Sequence, residues 1–176
     1  MIFDIDDITE GGLDFNLTVA YDQFKIDHPD CNLNNEVGVR GNLNWLNHEI
    51  YLNGWVKTGL ELTCSRCLEA VDFSVHTKLF ARFIPRVLRE DSDREHEIRG
   101  SDLETEYYSE NRINISHSVH DAILLDVPMV GLCRDDCLGL CYLCGKNRNS
   151  SPCQCLRKQE IDPRLKVLKL IKDNMK

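Results

Sequence analysis

No apolar stretch in this chain is long enough to cross a membrane as a helix. Its first residues, MIFDIDDITEGG, are acidic and lack the basic start of a secretory signal. These absences predict a cytoplasmic protein with no membrane partner. The short motifs of common enzyme classes are missing as well. There is no HExxH, no Gly-rich phosphate loop with its lysine and no GxSxG elbow. The histidines, His28, His48, His76, His96, His117 and His120, are scattered. Only His117 and His120 are spaced to share a helix face, and ordinary surface or helix-end roles account for them. A nucleophilic cysteine needs a positioned base, and nothing singles one out. The expectation is a protein that is not an enzyme and takes no small-molecule substrate.

Positive charge is also in short supply. Lys and Arg number 21 against 29 Asp and Glu, a net charge of −8. Residues 157–176 carry seven basic and three acidic side chains, so the other 156 residues sum to −12. A body that acidic repels a phosphate backbone at long range. Any nucleic-acid contact is therefore expected in the basic tail, at Arg157, Lys158, Lys166, Lys169 and Lys172. The acidic body suits a basic partner such as a ribosomal protein, and a solvated surface explains it equally well. Hydrophobic residues make up 42% of the 176, enough for one core of ordinary size, with or without a small metal-stapled lobe.

Cysteine is what the chain has in excess. Six of its nine cysteines fall within Cys133–Cys155, CRDDCLGLCYLCGKNRNSSPCQC, in the order C-x3-C-x3-C-x2-C-x8-C-x-C. Thiols this dense serve as metal ligands, disulfides or a redox relay. A cytoplasmic location favours metal, and four soft sulfurs around a tetrahedral ion favour structural Zn²⁺. Cys141 and Cys144, followed by Gly145, have the spacing of a zinc knuckle. Cys64 and Cys67 form a second C-x2-C pair, in LTCSRCLE. The candidate ligands are thus Cys64, Cys67, Cys133, Cys137, Cys141, Cys144, Cys153 and Cys155, enough for one or two ions. Their pairing is open. For a single ion, Cys141 and Cys144 plus two of Cys133, Cys137, Cys153 and Cys155 are favoured. Cys64 and Cys67 either complete a site with cysteines of the cluster or tighten a turn without metal. Arg66 between them is expected to lower a neighbouring thiol pKa. Cys31 is left over, and a single buried thiol is the simplest role for it.

Hydrophobic periodicity predicts a β-rich body. Phe15, Leu17 and Val19 alternate after a turn at Gly11–Gly12, and residues 29–36 read as loop. Val37, Val39, Leu43 and Trp45 keep one phase. Ile50, Leu52, Val56, Leu60, Leu62 and Cys64 keep the next, with Gly54 and Gly59 marking bulges or close backbone approach. Phe73, Val75, Leu79, Ala81 and Phe83 keep a third, stopped by Pro85. The last two runs, joined across CSRC, predict a long antiparallel hairpin with the cysteine pair at its tip. Nine acidic side chains between Glu90 and Glu110 make residues 86–110 an exposed acidic loop. Ile113 and Ile115 suggest a short strand, and Ser116 or Ser118 is placed to cap a helix over 117–126 that ends before Pro128. Asp162-Pro163 opens a short basic helix. The fold class is α+β: an antiparallel sheet or meander around a long hairpin, with a helix and a small cysteine-rich, zinc-stapled C-terminal lobe. The domains are 1–128, the sheet with its helix, and 129–176, the cysteine lobe with the basic helix.

Four segments in this order, LTCSRCLEAV, NRINISHSVHDAILLDVPMVGLC, DDCLGLCYLCGKNRNSSPCQC and DPRLKVLKLI, resemble the YceD family, also called the large ribosomal RNA subunit accumulation protein family. The resemblance is most secure over residues 38–85 and 104–172. It maps the family's CxRC onto Cys64, Arg66 and Cys67, and its C-terminal cysteines onto the six in Cys133–Cys155. The family's CG-x-N-L-N reads CGKNRN here, with Arg148 at the leucine position. What the resemblance implies is a non-enzymatic role in accumulation of 23S rRNA and in large-subunit assembly, through rRNA or a ribosomal protein, with zinc structural or accessory. The alternative is a metal-dependent hydrolase or nuclease acting on precursor rRNA, which needs an open metal site or converging carboxylates.

Overall fold

A computed structural model describes residues 1–26, 28, 31–86, 105–151 and 153–155. Arg157, Lys158, Lys166, Lys169 and Lys172, the expected C-terminal helix and most of the acidic segment lie outside the described residues. The chain divides into two compact units, one formed by Met1–Thr63 with Ala70–Gly131, the other by Cys64–Glu69 with Leu132–Lys176. Among the described residues no helix is long and apolar enough to cross a membrane.

The first unit is α+β with a mixed sheet. Its strands are β1 (Ile2–Asp4), β2 (Leu13–Val19), β3 (Cys31–Leu33), β4 (Val37–Leu46), β5 (Glu49–Thr63), β6 (Ala70–Pro85), β7 (Thr105–Tyr108) and β8 (Arg112–Asn114). A 3-10 turn at Ile5–Asp7 follows β1, and the helix α1 (Ser116–Asp126) follows β8. The main sheet runs β2-β4-β5-β6-β7, with β3 on the same edge of β5 as β4, beyond its end. β1 and β8 form a separate two-stranded ribbon.

The centre is the β5–β6 hairpin, in register from Ile50↔Phe83 to Thr63↔Ala70 without interruption. Even positions of β5 and odd positions of β6 point to one face because side chains alternate along a strand. That face is the core: Ile50, Leu52, Val56, Leu60, Val75 and Leu79 are almost wholly buried. Each such side chain contributes about 1.5–3 kcal/mol by leaving water. α1 packs on β6 and closes the core with Val119 and Ile123. The register passes straight through Gly54, opposite Gly41, and Gly59, opposite Ser74, so neither marks a bulge, and Gly54 marks close backbone approach. Cys31 is fully buried opposite Leu62, and burial pushes its thiol pKa up.

Several expectations are corrected. The sheet is not wholly antiparallel, because β7 pairs with β6 in parallel. Part of the expected loop at 29–36 is β3, a strand too short for its alternation to stand out among asparagines. The end of the expected acidic loop is β7. There Tyr108 packs against the core, and Glu106 accepts a hydrogen bond from Ser118 of α1. Neither Ser116 nor Ser118 caps α1. Asn114 accepts from the Ser116 N–H at 3.0 Å instead. Trp45 shares the phase of the β4 core residues but is 45% exposed, at the strand's end.

Candidate metal centre

The eight candidate cysteines form two quartets, both within the second unit. Cys64, Cys67, Cys133 and Cys137 bring their sulfurs within 4.8 Å of one another, and so do Cys141, Cys144, Cys153 and Cys155. All nine cysteines are free thiols. Of the open pairings, the geometry brings Cys64 and Cys67 to Cys133 and Cys137, and leaves Cys141 and Cys144 with Cys153 and Cys155.

The local backbone explains why. The two C-x2-C segments make the same turn twice. In the first, the Cys64 carbonyl accepts from the Leu68 N–H at 2.9 Å, and the Cys64 N–H donates to the Glu69 carbonyl at 2.9 Å. In the second, the Cys141 carbonyl accepts from Gly145 at 2.8 Å, and the Cys141 N–H donates to Lys146 at 2.8 Å. The residue after the second cysteine is left-handed in both, Leu68 at φ 62° and Gly145 at φ 70°. Each turn aims two N–H groups at its first sulfur: those of Arg66 and Cys67 at Cys64, those of Leu143 and Cys144 at Cys141.

Other contacts hold the first quartet closed. The Leu140 N–H donates to the Arg66 carbonyl at 3.0 Å. The Arg66 guanidinium donates to the carbonyls of Asp135 and Cys137, at 3.2 and 3.0 Å. Arg66 thus anchors the 135–137 backbone with its side chain, while its backbone N–H lowers the Cys64 thiol pKa as expected of it. Asn149 donates to the Cys137 sulfur at 3.3 Å, and the Cys133 N–H to the Cys64 sulfur at 3.4 Å. Arg148, at the position where leucine was expected, donates to the Leu138 carbonyl at 3.3 Å. Nothing in the sequence pointed to Asn149 as a partner of sulfur.

The sulfur spacing fits a tetrahedral ion. Cys64 and Cys137 lie 3.9 Å apart, Cys67 and Cys133 3.6 Å. Metal–sulfur bonds of about 2.3 Å at tetrahedral angles separate the sulfurs by about 3.8 Å.

The electrostatics point the same way. The Cys64 thiol is pulled down to about 6 by the backbone N–H of Cys67, then by those of Arg66 and Cys133. Cys137 is lowered, chiefly by Asn149. Cys67 is pushed up to about 12. The Glu69 N–H pulls against this, but burial and the sulfurs of Cys64, Cys133 and Cys137 outweigh it. Cys133 is raised by Cys137 and by burial. In the second quartet Leu143 and Cys144 N–H groups bring Cys141 down to about 6, while the Cys144 sulfur and burial raise Cys155 to about 11. Cys153 is raised, first by Cys141. Each quartet is prepared for negative charge on one or more sulfurs and resists it on others. A divalent cation removes that conflict, because it favours the thiolate at every ligand. The quartets can therefore coordinate a metal.

A third group sits on α1. His117 Nε2 lies 3.5 Å from one Asp121 oxygen, and His120 Nδ1 lies 3.2 Å from the other. The rings stack at 6.5 Å. His117 and Asp121 are exposed, and their contact is that of surface side chains four residues apart on a helix, with His120 beside its chain neighbour Asp121.

A protein-family model described as "Large ribosomal RNA subunit accumulation protein YceD" matches residues 52–172. An uncharacterised protein of Mycobacterium tuberculosis (strain H37Rv) is 35% identical over 104 residues, covering 57% of this chain and 45% of that protein. The Zea mays protein named "Large ribosomal RNA subunit accumulation protein YCED homolog 1, chloroplastic" is 27% identical over 130 residues, 59% of this chain and 43% of its own length. The chain thus spans less than half the length of these curated relatives. No solved structure matches significantly.

Proposed function

The chain belongs to the YceD family, and from that premise we propose that it supports accumulation of 23S rRNA and assembly of the large ribosomal subunit without being an enzyme. It acts through contacts with rRNA or with a basic ribosomal protein, in a reducing compartment such as the cytoplasm. Two Zn²⁺ ions hold its cysteine-rich lobe in shape, one in each sulfur quartet.

The observation that supports a structural metal is the donor set. Among the described residues each quartet offers four sulfurs and neither a histidine nor a carboxylate ligand. Four thiolates fill a tetrahedral ion and leave no position for water or substrate, whereas catalytic zinc keeps one open. Bound zinc supplies folding energy here, because a quartet drawn from positions as far apart as 64 and 137 does not exist in the unfolded chain. A hydrolase acting on precursor rRNA would need an open site, and the closed quartets argue against it.

Depletion of the protein in its own cells tests the role. Large-subunit rRNA is expected to fall relative to small-subunit rRNA and to be restored by the wild-type chain. Unchanged large-subunit rRNA in depleted cells would overturn the proposal.

A further inference from the structure

The middle of the outer face of the main sheet, opposite the core, gathers basic side chains, with carboxylates standing towards the edges and ends of that face. Across neighbouring strands Arg40, Trp55 and Lys78 stand directly opposite one another. Lys57 and His76 form the next row, Asn42, Asn53 and Phe80 the row on the other side. Trp55 is 47% exposed and Phe80 45%, large apolar areas for the middle of a sheet face. The Trp55 and His76 rings lie 5.1 Å apart at 36°, and the Lys78 ammonium sits 5.8 Å from the Trp55 ring centre. Arg40, Lys57 and Lys78 are exposed, and among the described residues none has a carboxylate in ion-pair range.

Of the carboxylates on this face, Asp14, Glu49 and Asp72 accept hydrogen bonds, Asp72 from Asn34 at 2.9 Å, and Glu61 stands opposite Asp72, two rows beyond Lys57. Asp14 accepts from Asn42 at 2.7 Å. Glu49 accepts from the Arg82 guanidinium and the Tyr51 hydroxyl, which hold its carboxyl down at about 2. At the Lys57 end the face opens into a depression of about 700 Å³ lined by Tyr21, Asn34, Asn35 and Ser74. Glu36 also lines it, which favours an uncharged base over a phosphate there.

We infer that this face is a binding site for single-stranded RNA, with bases stacking on Trp55 and Phe80 and phosphates on Arg40, Lys57 and Lys78. The inference rests on the rRNA reading above and gives it a surface. Exposed aromatics between unpaired cations are what an unstacked strand needs, since every base has a face to stack and every linkage a charge to neutralise. A duplex hides its base faces and gains only the cations. The net charge of −8 argues against strong long-range attraction. It leaves this short-range site intact, because charges beyond about 10 Å are screened at ordinary salt.

The test uses the full-length, reduced protein and a short labelled RNA without self-complementarity, alone and annealed to its complement. The single strand is expected to bind more tightly than the duplex. Trp55→Ala should weaken single-strand binding roughly 5- to 150-fold, the range for losing one stacked base, with Trp55→Phe recovering most of it. In a Trp45→Phe background Trp55 is the only tryptophan left, and its fluorescence should be quenched by the RNA. Replacing Arg40 and Lys78 by Ala should flatten the log-affinity against log-salt slope by about 1.4. Circular dichroism should be unchanged and the protein should stay folded at the assay temperature, with Trp55→Ala lowering stability only by the cross-strand contacts it loses to His76 and Lys78. Wild-type affinity in Trp55→Ala, with binding lost instead on changing Lys166, Lys169 and Lys172, would overturn this face and leave the rRNA role standing. So would failure of the wild-type protein to bind RNA at low salt, or a basic ribosomal-protein segment taking this face instead, if depleted cells still lose large-subunit rRNA. No RNA binding together with unaltered rRNA in those cells would overturn both.

Discussion

Two glycines of the cysteine lobe do different work, although both are left-handed. Gly139 has φ 67°, and a Cβ there would lie 2.8 Å from the Arg66 carbonyl oxygen. That oxygen is fixed by the Leu140 N–H, so it has nowhere to go. Gly145 has φ 70° but nothing within 4 Å of the place a Cβ would occupy. Gly145→Ala therefore meets only the backbone penalty, about 1 kcal/mol, the scale for an L residue in that region. Gly139→Ala meets the penalty and a clash, about 2–4 kcal/mol together. Thermal unfolding of the metal-loaded protein, with metal retention against a chelator, should rank Gly139→Ala well below Gly145→Ala. Equal losses would contradict the packing described. Leu68 shows that the same turn tolerates a side chain where there is room for it, at φ 62°.

At the scale of elements, β5 and β6 were legible because a two-residue period held over their whole lengths, with Leu52, Val56, Leu60, Val75 and Leu79 all landing inside. β3 and β7 were not, because three or four residues give too few alternations to outweigh composition: asparagines in one, acidic neighbours in the other. The parallel pairing of β7 was illegible for a further reason. Strand direction is set by the path of the chain between strands, and no residue pattern records it. The start of α1 was misread because its N-cap is Ile115, which has no side-chain acceptor, and the Ser116 N–H turns back to Asn114 just before it, a local bond that only the backbone decides. Glycines in β5 were seen, but their neighbours were not. A Cβ on Gly54 would meet the Arg40 carbonyl oxygen at 2.5 Å and the Gly41 Cα at 2.9 Å, both backbone. A Cβ on Gly59 would meet the side-chain ends of Asn34 and Asn35, which can turn away. Gly54→Ala should cost about 1–3 kcal/mol by forcing two strands apart. Gly59→Ala should cost visibly less in the same urea unfolding series. A reversed order would show that β4 and β5 do not approach as described.

For the whole molecule, the sequence named all eight sulfurs of the two quartets but could not sort them. Cys64 and Cys133 are 69 positions apart, and spacing carries no information over that distance. The fold sorts them by repeating one turn at Cys64 and Cys141. Net charge was equally readable and equally incomplete. A sum of −8 says nothing of where Arg40, Lys57 and Lys78 stand, because alternation and strand register gather them on one face. The central claim, that this member of the YceD family is held by two closed, all-sulfur zinc sites with no chemistry at them, is most directly tested by metal analysis and zinc absorption-edge spectroscopy on gently purified, reduced protein. The expected result is two zinc ions per chain, each with four sulfurs at about 2.3 Å, with Cys64→Ser and Cys141→Ser each releasing one ion and leaving the other. Absence of zinc, nitrogen or oxygen among the atoms bound to it, or loss of both ions from either substitution, would contradict it.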